Sequence, residues 1–207
     1  MPITQVNALY GFRGECERRC HSGTAVWRSL NSVFEYMPVG ALVDGQILAV
    51  HGGLGASLGS LSQLRQLPRP ARVNLHMMNS EPDADSRLLA DVLWSDPTDR
   101  DEQEGIQPNA RGRNVVKFGP DRVRKFCADN GLQLILRAHQ CVQDGFEYFA
   151  EGRLVTLFSA PDYGAQHEND GAMLIISREL HVFAKVLRSK GQKAAPVPYT
   201  HLTLPTT

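Results

Sequence analysis

No stretch of this sequence is apolar for long enough to cross a membrane as a helix, which takes about 20 residues. Its opening residues do not read as a charged-then-apolar leader either. Charge of one sign is not in excess: 22 basic residues offset 22 acidic ones. Binding to nucleic acid or to a membrane surface through bulk charge is thereby excluded. Cysteine is scarce, with four in 207 residues, too few for the dense disulfide framework of a small secreted domain. Cys16, Cys20 and His21 lie close together, but the two thiols fall on one helical pattern and no second ligand pair follows at zinc-finger spacing. They read as buried, reduced core thiols, and the expected address is intracellular, cytoplasmic or nuclear. Internal repeats are absent. What is present is ordinary: 42% hydrophobic and 21% charged residues, enough for one domain with a sizeable core.

Three stretches share a grammar that organises the rest. Leu132, Leu134, Ile135 and Leu136 form a mostly apolar run into Arg137-Ala138-His139, after which the chain turns polar. Ile47, Leu48, Ala49 and Val50 run likewise into His51-Gly52-Gly53. A third run over 153–158 ends in Ser159-Ala160-Pro161-Asp162-Tyr163-Gly164. Apolar runs of this length are buried strands, and ligands of layered α/β folds gather where such strands end. Two of the ends carry a histidine, whose neutral imidazole is the commonest protein metal ligand. One rim with one site is the expectation, with backbone at the two glycines free to approach a ligand closely.

The remaining elements follow from periodicity. Helices are predicted over 6–20 and 24–36, the second with Val26, Leu30, Val33 and Phe34 as its apolar stripe. A hairpin over 41–50 turns at Asp44-Gly45. A short helix over 57–67 precedes a long loop marked by Pro68, Pro70 and the polar stretch 79–86. An apolar element spans 90–94. The acidic tract 96–104 reads as a solvated surface loop. The helix predicted over 120–130 has proline at its start and Gly131 just past its end. Strands are predicted over 146–149, 153–158, 172–177 and 180–187.

Five words in order over this chain, HGGL (51–54), VLWSDP (92–97), NARG (109–112), RAHQ (137–140) and LFSAPDYG (157–164), resemble the phosphoprotein phosphatase family of metal-dependent serine/threonine protein phosphatases. Each word alone is weak; together and in sequence they are specific. The resemblance covers residues 6–187 and implies an α+β fold, a layered β-sandwich of mixed sheets flanked by helices. Residues 188–207 match nothing in the family and are expected to form an unstructured tail, the last of them non-native sequence.

The resemblance also implies a chemistry. In the family, water attacks phosphorus directly between two metal ions, usually manganese, with iron or zinc as alternatives, and the substrates are phosphoserine and phosphothreonine in proteins. His51 and His139 match the two histidines that hold one metal. Arg111 matches the arginine gripping the substrate phosphate, a task suited to a planar guanidinium. Arg137 and Tyr163 are implied to line the phosphate site, and Trp94 and Asp96 the pocket wall. Phosphoprotein substrates and regulatory subunits are the implied partners, with neither nucleic acid nor membrane among them. The stretches NALYGFR and FGPDRV lean towards the subgroup that carries a Kelch-repeat propeller.

Two departures stand out. The family's SAPNYC reads SAPDYG here, with Asp162 for asparagine and Gly164 for cysteine. The family words GDxHG, GDxxDRG and GNHE, which carry the remaining metal ligands and the leaving-group histidine, are not found, so the sequence reads as an amino-terminally truncated part of a phosphatase domain, inactive alone. The rival reading is a non-catalytic, phosphatase-like interaction module. A different metallophosphoesterase, such as a nuclease, is opposed by the VLWSDP, NARG and SAPDYG words.

Overall fold

Alternation decides the architecture. In the strand Ile47–Val50 (β2), Ile47 faces one apolar cluster while Leu48 and Val50 face another; in Leu134–Arg137 (β6), Leu134 and Ile135 divide the same way, as do Leu154 and Val155 in Leu154–Leu157 (β8). Successive strand side chains point to opposite faces, so a sheet apolar on both must be covered on both. The structure, a computed structural model, describes residues 3–71, 82–165, 167–189 and 201–202.

The central sheet has the order β1-β2-β6-β8-β7, with β1 at Gly40–Val43 and β7 at Phe146–Phe149. β2, β6 and β8 run parallel, and the outer strands pair antiparallel. One face packs on the strands Gly171–Ile176 (β9) and Val182–Leu187 (β10) through Ile47, Leu134, Val155, Leu174, Ile176 and Val182. The other carries three helices, Leu61–Gln66 (α4), Ala84–Trp94 (α5) and Pro120–Asn130 (α6), around Leu58, Leu88, Leu89, Val92, Val123 and Phe126. The expected α+β layering of mixed sheets and helices is therefore the architecture found. A further small sheet joins Asp96–Pro97 (β3), Ile106–Pro108 (β4) and Val116–Phe118 (β5) in the order β3-β5-β4.

Differences from expectation have local causes. The helix predicted over 6–20 is two, Ile3–Leu9 (α1) and Phe12–Arg19 (α2), because Gly11 takes a left-handed φ of 93° between them. The helix Gly23–Phe34 (α3) stands near its predicted place. The polar stretch predicted as loop to residue 86 already belongs to α5 from Ala84, since the Asp83 carboxylate accepts from the Ser86 N–H and caps it; residues 72–81 of that loop lie outside the described residues. α6 matches its prediction end for end. His201–Leu202 pair with β10 as a two-residue strand where an unstructured tail was expected, using the edge that β10 leaves open; residues 190–200 and 203–207 are outside the described residues. Cys16 and Cys127 are buried, but Cys20 is half-buried and Cys141 exposed. No helix among the described residues is long and apolar enough to cross a membrane.

Candidate functional site

Parallel pairing of β2 with β6 sets Ala49 opposite Leu136, so the residues that follow both strands emerge at one edge. His51 and His139 meet there, with His51 Nε2 3.1 Å from His139 Nδ1 and the rings edge-on at 4.8 Å between centroids. His139 adopts a left-handed φ of 67°, uncommon for a residue with a Cβ. The indole of Trp94 stands edge-on to the His139 ring at 5.5 Å. The strand-end reading of both histidines thus places them together.

The loop that carries His51 is fixed from several sides. Gly52 N–H donates to Val92 O at 2.7 Å, and Ala138 N–H donates to His51 O at 3.0 Å. A Cβ on Gly52 would stand 2.7 Å from the Leu93 carbonyl carbon, and one on Gly53 2.3 Å from the Phe118 ring. Both glycines therefore admit the close approach of α5 and Phe118. Further along, the Asp91 carboxylate on α5 accepts from the Ser57 N–H at 2.6 Å and from the Ser57 hydroxyl. Arg122 on α6 donates to the carbonyls of Gly55 and Leu58. Asp91 is buried, and burial raises its carboxyl above the usual range despite the Ser57 hydrogen bonds that oppose the shift.

Asp96 is the electrostatic centre. Although it opens the acidic tract expected to be solvated, it is 2% exposed. Its Oδ1 accepts from Arg137 Nη2 at 2.9 Å, and its Oδ2 from Arg111 Nε at 2.7 Å and Asn109 Nδ2 at 2.9 Å. Burial pushes its carboxyl up, and the hydrogen bonds from Arg111 and Asn109 together with the Arg137 charge outweigh that, leaving it below the usual carboxylate range. The Arg137 guanidinium is fully enclosed and donates also to Gly52 O, Ser95 O and Gln140 Oε1. Burial lowers it to about 10, so it stays charged at neutral pH. With its donors turned inward, Arg137 braces the rim.

Arg111 is different. Its side chain is 34% exposed, held by Asp96 at Nε, with Nη2 3.4 Å from His139 O. That leaves a partly open guanidinium beside the paired imidazoles. Tyr163, in the short turn Tyr163–Ala165, is exposed and packs edge-on against Phe158 at 5.1 Å. Its N–H donates to Asn169 Oδ1 at 2.9 Å. Three residues that shape the site escaped the sequence reading: Asn109, Asp91 and Ser57. Asp91 had a signal, since it falls on the same helical face as Leu88 and Val92, where a carboxylate must find partners.

Both imidazoles are held neutral. Burial and the neighbouring arginine charges lower His51, and burial with the Arg111 charge takes His139 to about 4. Neutral imidazole is the ligating form. Two nitrogens 3.1 Å apart are both within reach of one ion at metal–nitrogen bonds of about 2.0–2.1 Å. The other nitrogen of His139, Nε2, is buried without a hydrogen-bond partner among the described residues. The pair fits as two ligands of a divalent cation, although among the described residues no third His, Cys, Asp or Glu completes a cluster.

Comparison with known proteins bears on this rim. A family model described as calcineurin-like phosphoesterase matches residues 6–143. The serine/threonine-protein phosphatase BSL2 of Arabidopsis thaliana is 46% identical over 184 residues, which are 88% of this chain and 17% of that protein. The chain therefore spans about a sixth of the curated relative's length. A solved protein serine/threonine phosphatase from Saccharomyces cerevisiae, described as similar to human phosphatase PP5, superposes with a TM-score of 0.74 at 24% identity, covering 94% of this chain and 59% of that one. At that identity the superposition shows a shared fold.

Proposed function

The chain belongs to the calcineurin-like phosphoesterase family, and from that premise we propose that it forms part of a protein serine/threonine phosphatase acting on phosphoserine and phosphothreonine. The observation that carries this reading is the convergence of two neutral imidazoles and one half-open guanidinium on a single rim. His51 and His139 would hold one of two divalent ions, with manganese the first choice and iron or zinc also compatible with nitrogen and oxygen donors. Such ions, when bound, supply an activated nucleophile and a clamp on phosphoryl oxygens.

The chain's own residues do the rest. Arg111 would take the phosphate oxygens through the donors that Asp96 leaves free, with Tyr163 donating or packing at the mouth of the site. Asp96 and Asn109 orient Arg111, and Trp94 fixes the His139 ring. The VLWSDP and NARG words support protein substrates over nucleic acid. NALYGFR and FGPDRV support the Kelch-bearing subgroup, and regulatory subunits belong to the same proposal. Four free cysteines support an intracellular setting.

A second reading, a non-catalytic interaction module, is favoured by one observation: the histidine pair lacks a third ligand among the described residues. One experiment separates the two. Protein carrying this chain in its natural reading frame is assayed with a phosphoserine peptide and a phosphodiester. The proposal expects metal-dependent hydrolysis of the peptide only, with His139→Ala abolishing it and Arg111→Ala lowering kcat/KM about a hundredfold. No turnover of either substrate supports the module; phosphodiester cleavage, or full activity of His139→Ala, overturns the phosphatase assignment.

A further inference from the structure

The loop that joins β8 to β9 carries Tyr163. Because β8 runs parallel to β2 and β6, this loop leaves the sheet at the same edge as the two histidines. Tyr163 stands between two left-handed residues, Asp162 at φ 52° and Gly164 at φ 64°. Aspartate is among the few residues with a Cβ that visit this region, and such a backbone persists only where its surroundings hold it. One hold is the buried Asn169. Its backbone carbonyl accepts from the Asp162 N–H and its Oδ1 from the Tyr163 N–H, while its Nδ2 donates to Ala160 O.

A second hold comes from Arg188 and Ser189, the two residues that open the tail expected to be unstructured. Ser189 is buried; its hydroxyl donates to Asp162 Oδ1 at 2.6 Å and its N–H to Asp170 Oδ1 at 2.7 Å. Arg188 pairs with the other carboxylate oxygen of Asp170, itself buried. The Asp170 N–H donates in turn to Gln143 O, in the segment that follows His139. The residues after β10 thus close both ends of the loop 162–170. Hydrogen bonds to charged acceptors out of water are the stronger kind. Asp162 is also where the SAPDYG word departs from the family's asparagine, and Ser189 is a partner which that departure meets.

We propose that Ser189 is a positioning residue for Tyr163: through Asp162, the segment after β10 sets how Tyr163 stands at the rim. When the Ser189 hydroxyl is removed, Asp162 loses this donor and the left-handed turn before Tyr163 loosens. Arg188 seats the clasp by holding Asp170, to which the Ser189 N–H is bound. The clasp is a property of the fold. Its consequence for substrate rests on the phosphatase reading, in which Tyr163 donates or packs at the mouth of the site.

The test follows amide hydrogen exchange of the full chain by NMR in Ser189→Ala and in Asp162→Asn, whose amide oxygen still accepts from Ser189. Ser189→Ala should speed exchange at the Asp162 and Tyr163 amides about tenfold, as the loss of one hydrogen bond to a charged group predicts. Exchange in β2, β6 and β8 should not change, and Asp162→Asn should stay close to the wild type. In protein carrying this chain in its natural reading frame, Ser189→Ala should raise KM for a phosphoserine peptide about threefold at unchanged kcat. Unchanged exchange at Asp162 and Tyr163, a rise shared equally by the strands, or an Asp162→Asn variant as loose as Ser189→Ala overturns the proposal. So does a wild-type KM in Ser189→Ala protein that turns the peptide over. If no form of the protein turns it over, the phosphatase reading falls and the exchange rates alone decide the clasp.

Discussion

At the scale of single residues, one carboxylate does more than either histidine to hold the rim together. Asp96 sits 2% exposed between a fully enclosed Arg137 and a half-open Arg111. Because Arg137 remains protonated at neutral pH, Asp96→Ala strands a buried cation, and breaking such a pair costs about 3–5 kcal/mol. We expect that loss in a urea-unfolding midpoint, with the isosteric Asp96→Asn losing less because its amide oxygen still accepts. A loss below about 1 kcal/mol would put the pair on a par with an exposed ion pair. The residue scale is also where the sequence was least legible. His51, His139 and Arg111 announced themselves through their neighbours in the chain, whereas Asp96 finds Arg137 across 41 positions and Asp91 finds Ser57 across 34. Pairings of that range depend on register and on helix rotation, which no local pattern encodes. For the same reason the position of Arg137 beside His139 was visible, but the inward turn of its side chain was not.

Among the elements, what could be read was what is local. α6 carries its own start and stop signals in Pro120 and Gly131 and was placed to the residue, whereas β3, β4 and β5, of two or three residues each, have no periodicity to read. Local and non-local glycine roles separate by measurement. Gly131 caps α6 at φ 66° with nothing within 4 Å of a built Cβ, so Gly131→Ala meets only the left-handed penalty of about 1–2 kcal/mol. Gly53 has no such φ, yet a Cβ there would stand 2.3 Å from Phe118. Gly53→Ala must displace a ring that packs with 0% exposure, and overpacking of this kind costs about 1–3 kcal/mol. The distinguishing expectation is rescue. Phe118→Leu, harmful alone, should recover part of the Gly53→Ala loss in a double-mutant cycle and none of the Gly131→Ala loss. Additive losses for Gly53→Ala with Phe118→Leu would show that the two positions do not compete for space.

For the molecule as a whole, the layers are unequally clothed. The central sheet is covered on both faces, by α4 to α6 on one and by β9 and β10 on the other. The β9–β10 sheet is apolar on both faces but covered on one. Leu174 and Ile176 point inward to the second cluster, while Met173 and Ile175 alternate outward at 49% and 42% exposure. Cross-strand neighbours do not relieve this, since Ile175 pairs with Phe183 and Met173 with the aliphatic stem of Lys185. A strand apolar on both sides is the pattern of a sheet with layers above and below, and among the described residues nothing lies over the outer side. Exposed apolar faces of this kind drive association, so the chain in isolation should self-associate with rising concentration in sedimentation velocity. Ile175→Lys should reduce that association while shifting unfolding by no more than about 0.5 kcal/mol, as exposed substitutions do. Association that survives Ile175→Lys would move the contact to another exposed apolar surface among the described residues, such as that of the amino-terminal helices, where Leu9 is 69% and Tyr10 82% exposed.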